Sequence, residues 1–383
     1  FLKFDAERPQ WPDRDRFVLS AGHGSMLLYA LLFLTGYEGV DSNELKRFRQ
    51  LGSKTAGHPE FGHCPGVETT TGPLGQGIAT SVGMAIAERM LNARYGDGLV
   101  DHYTYVLAGD GCLMEGLSHE AIDLAGHLRL NRLIVLFDDN RISIDGSTSL
   151  ATSMDQLKRF TAAGWNVSRI DGHDPAAVSA ALSQAKSADR PTLIACKTLI
   201  GYGAPNKQGS KDMHGSPLGA AEIAAAREHL GWPHPPFHIP EHVLQAWRGA
   251  GSWGSRAYRE WEGRVANVET SARLEFLDAL SGRLAPDFCN NIEIIKAEFT
   301  RAKPVVATRV ASQKVLGELI SFQNNLVGGS ADLTGSNGTK TTTQKPITAK
   351  DFSGSYIHYG VREHAMAAAM NGIALHGGFI PYG

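Results

Sequence analysis

The sequence predicts an α/β fold, and three observations carry that reading. Short apolar or β-branched runs at residues 103–107, 133–137, 166–170 and 192–196 alternate with stretches of helical periodicity. Runs apolar on both faces and separated by helices mark parallel strands covered on each side. At 383 residues the chain exceeds one ordinary core, so two or more domains are expected. In such open sheets ligands gather beyond the carboxyl ends of the strands, which directs attention to the loops after these runs.

The elements fall into three stretches. Residues 1–225 read as one α/β domain holding the four runs. Residues 226–303 read as a helical connection, because the pattern turns helical and is broken by Gly231-Trp232-Pro233 and Pro235-Pro236 before a charged stretch through Glu298. Residues 304–383 begin a second α/β unit after Lys303-Pro304. It has a helix near 311–321, strand-like 326–328 and 356–359, and an Ala-rich helix over 363–375. The chain starts without Met and stops at Pro381-Tyr382-Gly383, after an apolar run that reads as a strand. Both ends therefore read as cut and the last domain as incomplete.

Composition narrows the function classes. With 37 basic against 39 acidic residues, the net charge points to neither a nucleic-acid nor an acidic-membrane partner. No stretch reaches the roughly 18 apolar residues of a membrane span. The charged residues 1–16 lack the apolar core of a signal peptide. Cys64, Cys112, Cys196 and Cys289 are scattered without CxxC spacing, which reads as buried thiols in a reducing, cytoplasmic setting.

The chemistry begins where the run 103–107 enters Gly109-Asp110-Gly111. The next strand ends in Asp138-Asp139-Asn140, with 28 residues between Gly111 and Asn140. Adjacent parallel strands would bring Asp110 and Asn140 to one point. Magnesium takes a few hard oxygen ligands from protein and completes its shell with phosphate and water. The Asp110 carboxylate, the Asn140 amide oxygen and the Ile142 backbone carbonyl suit that demand. The flanking glycines permit close approach of a diphosphate, and a helix starting near Gly116 would aim its amides at the anion. The bland alternative, a tight turn at Gly109-Asp110-Gly111, describes the same three residues.

This spacing resembles the cofactor motif of thiamine-diphosphate enzymes. Further blocks narrow the resemblance to the transketolase family. They are Leu19-Ser20-Ala21-Gly22-His23-Gly24, Gly57-His58-Pro59-Glu60, Thr69 to Gly77, Ile200-Gly201-Tyr202-Gly203 and His214-Gly215-Ser216-Pro217-Leu218. In the second unit Ser330-Ala331-Asp332-Leu333, Ser336-Asn337 and Tyr359-Gly360-Val361-Arg362-Glu363-His364 continue it. The resemblance covers essentially the whole chain, in order. It implies parallel sheets flanked by helices, with a diphosphate-binding domain and an incomplete pyrimidine-binding domain. The implied cofactors are thiamine diphosphate and Mg2+, with Ca2+ or Mn2+ as substitutes.

The implied roles follow residue by residue. His23, Gly72, Pro73, Leu74, Gly111, Asn140, His214 and Glu363 would bind the cofactor, and Asp110, Asn140 and Ile142 the metal. His58, His214, Arg309 and Ser336 would meet substrate, with Glu363, His214 and His58 catalytic. Glu363 would hydrogen-bond the pyrimidine nitrogen and activate the cofactor, reaching it from a second subunit of a homodimer. Arginine suits phosphate because its rigid fork binds two oxygens at once.

The implied reaction is reversible transfer of a two-carbon ketol unit to an aldose phosphate. The donor would be xylulose 5-phosphate, sedoheptulose 7-phosphate or fructose 6-phosphate, in the pentose phosphate pathway or Calvin cycle. Dihydroxyacetone synthase, deoxyxylulose-phosphate synthase and a non-catalytic partial chain are the alternatives. A metal site at His58, His63 and Cys64 fits on residue type alone, but no second ligand pair at zinc spacing supports it.

Overall fold

A computed structural model describes residues Phe1–Gly383, which fold as two compact units. The first comprises Phe1–Ser81 and His102–Arg259, the second Val82–Asp101 and Glu260–Gly383.

The first unit holds a wholly parallel five-stranded sheet. Its strands are β1 (Arg16–Leu19), β2 (Thr104–Gly109), β3 (Leu133–Asp139), β4 (Asn166–Asp171) and β5 (Thr192–Lys197), in the order β1-β2-β3-β5-β4. The central strands are apolar on both faces because both are covered. Val106, Ile134, Val135, Leu193 and Ile194 are fully buried. Tyr105, Ile134 and Ile194 share one cluster with Ala181 and Ala185 of the helix Pro175–Lys186. That helix starts on Pro175 with Asp174 accepting the Ala176 N–H, a sequence-encoded cap. A separate core forms where Leu28, Tyr29 and Leu32 of the helix Ser25–Thr35 meet Leu19, Val40, Leu45 and Val67.

Two sequence expectations need correction, and one strand went unread. The run at 166–170 is an edge strand and only half-buried, because β4 pairs on one side alone. Cys64, Cys112 and Cys196 are buried, but Cys289 is exposed near the start of the helix Phe288–Ala302. The charged segment before β1 packs into the fold. Asp13, Asp15 and Arg16 are buried, and β1, which the periodicity did not reveal, follows directly. Asp15 accepts the backbone N–H groups of Lys3 and Tyr103, both at 2.7 Å. The Arg16 guanidinium donates to the carbonyls of Pro12 and Arg14 at 2.8 and 2.6 Å. Burial lowers its pKa to about 9.

The second unit carries a parallel three-stranded sheet in the order β7-β6-β8. Its strands are β6 (Leu326–Ser330), β7 (Tyr356–His358) and β8 (Ile380–Tyr382). The helix Glu363–His376 packs on β8 and buries Ala365, Ala368, Ala369 and Ile373. Phe276 lies fully buried in the same unit, 4.9 Å from the Tyr95 ring.

Close helix approach in the first unit depends on Gly126. A Cβ there would lie 1.7 Å from the carbonyl oxygen of Ala163. Alanine gains about 1 kcal/mol over glycine in a helix interior, but overpacking costs about 1–3 kcal/mol, and an overlap this deep puts the cost at the upper end. Gly126→Ala is therefore expected to lower stability by about 1–2 kcal/mol in denaturant unfolding. Gly263→Ala, where an added Cβ meets nothing within 4 Å, is expected to be neutral or stabilising.

Candidate functional site

At the carboxyl ends of β1, β2 and β3 the first unit opens a cavity of about 580 Å³. It is lined by His23, Leu74, Asp110, Gly111, Asn140, Ile142 and His214 among others, so sequence-distant candidates converge there. The register explains the first pair. Gly109 of β2 lies opposite Asp138 of β3, so the chains leave the sheet side by side and carry Asp110 and Asn140 into one corner.

The local structure after β2 differs from the expected turn. Asp110 is the first residue of a short helix, Asp110–Met114, and the longer helix Gly116–His127 follows it. Gly111 and Cys112 line the cavity and Gly116 does not, so the amides near the cavity belong to the first helix rather than the second. A Cβ on Gly111 would sit 2.8 Å from Leu74 Cδ1, so that side chain would have to shift to admit one.

The glycine-rich loops are pressed together backbone to backbone. A Cβ on Gly22 would meet Gly72 N at 2.7 Å, and one on Gly77 would meet Ser20 Cα at 2.6 Å. These contacts set the turn Gly22–Gly24, which carries His23, against the loop of Gly72, Pro73 and Leu74. His58 packs over Gly72, with its Cγ 3.2 Å from where a Cβ would be. Leu74 reaches the cavity lining, whereas Gly72, Pro73 and His58 stand beside it. His214, on the short helix Asp212–Gly215, stacks on His23 with ring centroids 5.0 Å apart. That helix is seated by the loop at Gly201, where a Cβ would strike the Met213 side chain.

The electrostatics single out Asp110. Its Oδ2 is buried and has no hydrogen-bond partner. Burial, reinforced by Asp139 and then Asp138, raises its pKa from 3.8 to about 6, while the Arg141 backbone N–H opposes the shift. The neighbouring acids are satisfied. Asp138 receives the Thr198 hydroxyl and Asn140 Nδ2, and Asp139 meets Arg169 at 3.3 Å and Arg141 at 3.6 Å. His23 is held below the ordinary histidine range, first by burial and then by His214 and His58. The Nδ1 of His214 is a further buried atom without a partner.

The other candidates lie in the second unit, outside this lining. Arg309 is exposed in the first turn of the helix Thr308–Phe322. Ser336 is exposed on the short helix Thr334–Asn337. The two elements are neighbours, since a Cβ on Gly338 would lie 3.1 Å from the Arg309 carbonyl. Glu363 opens the helix Glu363–His376 and is exposed in the single chain. The sequence reading missed Asp138 and Thr198, although two successive aspartates at a strand end are a signal for one on each face. It also missed Leu27 and Ile144, exposed apolar side chains at the cavity.

Comparison with known proteins fits this geometry. Residues 1–284 match the family model "Transketolase, thiamine diphosphate binding domain" and residues 305–383 match "Transketolase, pyrimidine binding domain". The chain is 59% identical over 383 residues to a transketolase of Cereibacter sphaeroides, covering 100% of this chain and 58% of that protein. It is 57% identical over 389 residues to one of Sinorhizobium medicae, covering 100% and 55%. The chain thus spans a little over half the length of these relatives. Among solved structures, transketolase from Leishmania mexicana superposes with TM-score 0.93 at 41% identity, covering 99% of this chain and 57% of that one. The Pichia stipitis enzyme in complex with sedoheptulose 7-phosphate gives 0.92 at 41% identity, covering 100% and 58%.

A carboxyl whose folded pKa is raised keeps its proton between about pH 4 and 6, where the unfolded chain has released it. Its contribution to stability is lost as pH rises through that window. Asp110→Asn is therefore expected to raise the apo unfolding midpoint at pH 7 and to flatten its pH dependence between 4 and 6. A lower midpoint at pH 7 would show that the ionised carboxylate is already satisfied.

Proposed function

The chain belongs to the transketolase family, and from that premise we propose that it binds thiamine diphosphate through a divalent cation, as part of an enzyme transferring two-carbon ketol units between sugar phosphates. The observation that carries the reading is the charge of the cavity. Its lining includes Asp110, Asp138 and Asp145 and no lysine or arginine, so a diphosphate entering alone would meet like charge. A divalent cation held by the oxygens of this corner would reverse that repulsion.

The donor set fits such an ion. The unpartnered Asp110 oxygen, the Asn140 amide oxygen and the Ile142 carbonyl are hard oxygen ligands, suited to Mg2+ with Ca2+ or Mn2+ as substitutes. The lining also fits a diphosphate. A Cβ added at Gly24 or Gly109 meets nothing within 4 Å, so the backbone there is open to a close ligand. When bound, thiamine diphosphate supplies the nucleophilic carbon and the electron sink for carbon–carbon cleavage.

The chain's own residues then bind, orient and move protons. His23, held neutral near pH 7, donates one N–H to the diphosphate without adding charge. His214, stacked on it, takes and returns the proton of the hydroxyl beside the broken bond. His58 meets the hydroxyl on the first carbon of the donor, and the Leu74 backbone, with Gly72 and Pro73, meets the aminopyrimidine. Arg309 and Ser336 hold the distant phosphate. Glu363 shares a proton with the pyrimidine nitrogen, a task that needs shelter near neutrality. Its exposure in one chain supports a homodimer in which a second copy supplies that shelter. Sugar phosphates as substrates are supported by the Pichia stipitis relatives solved with xylulose 5-phosphate, sedoheptulose 7-phosphate and fructose 6-phosphate.

Titration calorimetry of this chain with thiamine diphosphate is expected to show binding with Mg2+ and its loss with EDTA. Binding indifferent to EDTA, or absent with Mg2+, would sink the cofactor reading. The reaction is tested on a protein of the relatives' length that contains this chain. Xylulose 5-phosphate and ribose 5-phosphate are expected to yield glyceraldehyde 3-phosphate in a coupled assay, and no such product refutes the reaction.

A further inference from the structure

We infer that Asp138, held by Thr198 from the neighbouring strand end, is a positioning residue that fixes which way the Asn140 amide faces. The inference rests on the reading of Asn140 as a cation ligand. An asparagine side chain ends in two groups of nearly equal shape and opposite hydrogen-bonding character, and only its oxygen can ligate a hard cation. A site that uses this residue needs a device that selects the oxygen.

Asp138 provides it by being able only to accept. The Asn140 atom facing its Oδ2 at 2.9 Å must be the donor Nδ2. On the other side the Ile142 N–H, which can only donate, meets Oδ1 at 2.9 Å. The two constraints agree, and Oδ1 keeps a second lone pair for an ion. Asp138 is itself anchored. Pairing of β3 with β5 sets it opposite Cys196, and the hydroxyl of Thr198, just beyond β5, donates to its Oδ1. With both oxygens engaged, the carboxylate cannot turn away and release the amide.

The alternation of β3 gives the next residue a different duty. Asp139 pairs with Arg169 and Arg141 and lines with them a second polar pocket, which Asp110 also borders. Of the two successive aspartates, only Asp138 lines the Asn140 cavity.

Two measurements test this. In apo protein labelled with 15N-asparagine, the Asn140 side-chain signal is assigned by its loss in Asn140→Ser. One of its protons is expected away from the exposed-asparagine position in the wild type and back toward it in Asp138→Ala. Identical signals in the two proteins overturn the inference. In calorimetry, the Mg2+ concentration giving half-maximal thiamine diphosphate binding is expected to rise about ten-fold or more in Asp138→Ala. Thr198→Val and the isosteric Asp138→Asn, whose carbonyl still accepts from Asn140, are expected to give smaller rises with unligated unfolding temperatures unchanged. A wild-type Mg2+ requirement in all three overturns the inference. So does a rise confined to Asp138→Ala with a lowered unfolding temperature, which marks a packing role. Should Asp138→Ala not fold, the other two variants decide both measurements. Should the wild type take up no thiamine diphosphate, the cofactor reading fails, while the amide signals still decide the orientation.

Discussion

The site depends on one pairing, the parallel register of β2 and β3 that sets Gly109 beside Asp138. Shift it by one residue and every side chain at the strand ends changes face, so Asp110 and Asn140 would no longer share a corner. The register is secured far from the chemistry. Strands buried on both faces by Val106, Ile134 and Val135 cannot slip without exposing apolar surface. The apolar core thus fixes where two polar atoms meet, and the glycines around them fix how close the backbone comes.

Three aspartates stand within this corner, and the fold treats each differently. Asp139 is held by two arginines, Asp138 by a hydroxyl and an amide, and Asp110 keeps an oxygen buried and bare. Burying a carboxylate without a counter-charge is costly, which is why its pKa climbs to about 6. The neighbouring carboxylates deepen that cost and help make the corner attractive to a cation.

Much of this was legible in the sequence, for physical reasons. The central strands announced themselves because burial on both faces forces an apolar run, and Gly109-Asp110-Gly111 with Asn140 located the corner because strand ends in such sheets carry ligands. What stayed hidden was decided by tertiary pairing. β1 escaped because Arg16 and the charges before it interrupt the apolar run that marks a buried strand, although Arg16 is itself buried and satisfied by the carbonyls of Pro12 and Arg14. The half-exposed face of β4 follows from its edge position, which no local pattern encodes. Thr198 is invisible for a similar reason. Its partner Asp138 lies 60 residues away and is brought to it only by the β3–β5 register.

Two local rules are broken in this same corner. Arg141, between Asn140 and Ile142, holds a left-handed backbone with φ 61°, which a side chain this size rarely adopts. The conformation persists because its neighbours demand it: the Arg141 carbonyl accepts from Thr148 at 3.0 Å, and its N–H turns toward Asp110. A strained residue and an unpaired buried carboxylate oxygen within one loop and one helix start are each unfavourable in the empty chain. Packing elsewhere must offset both, and the strands buried on both faces contribute to that. Strain kept where the rest of the fold is well satisfied is the expected mark of a site built for a ligand rather than for stability.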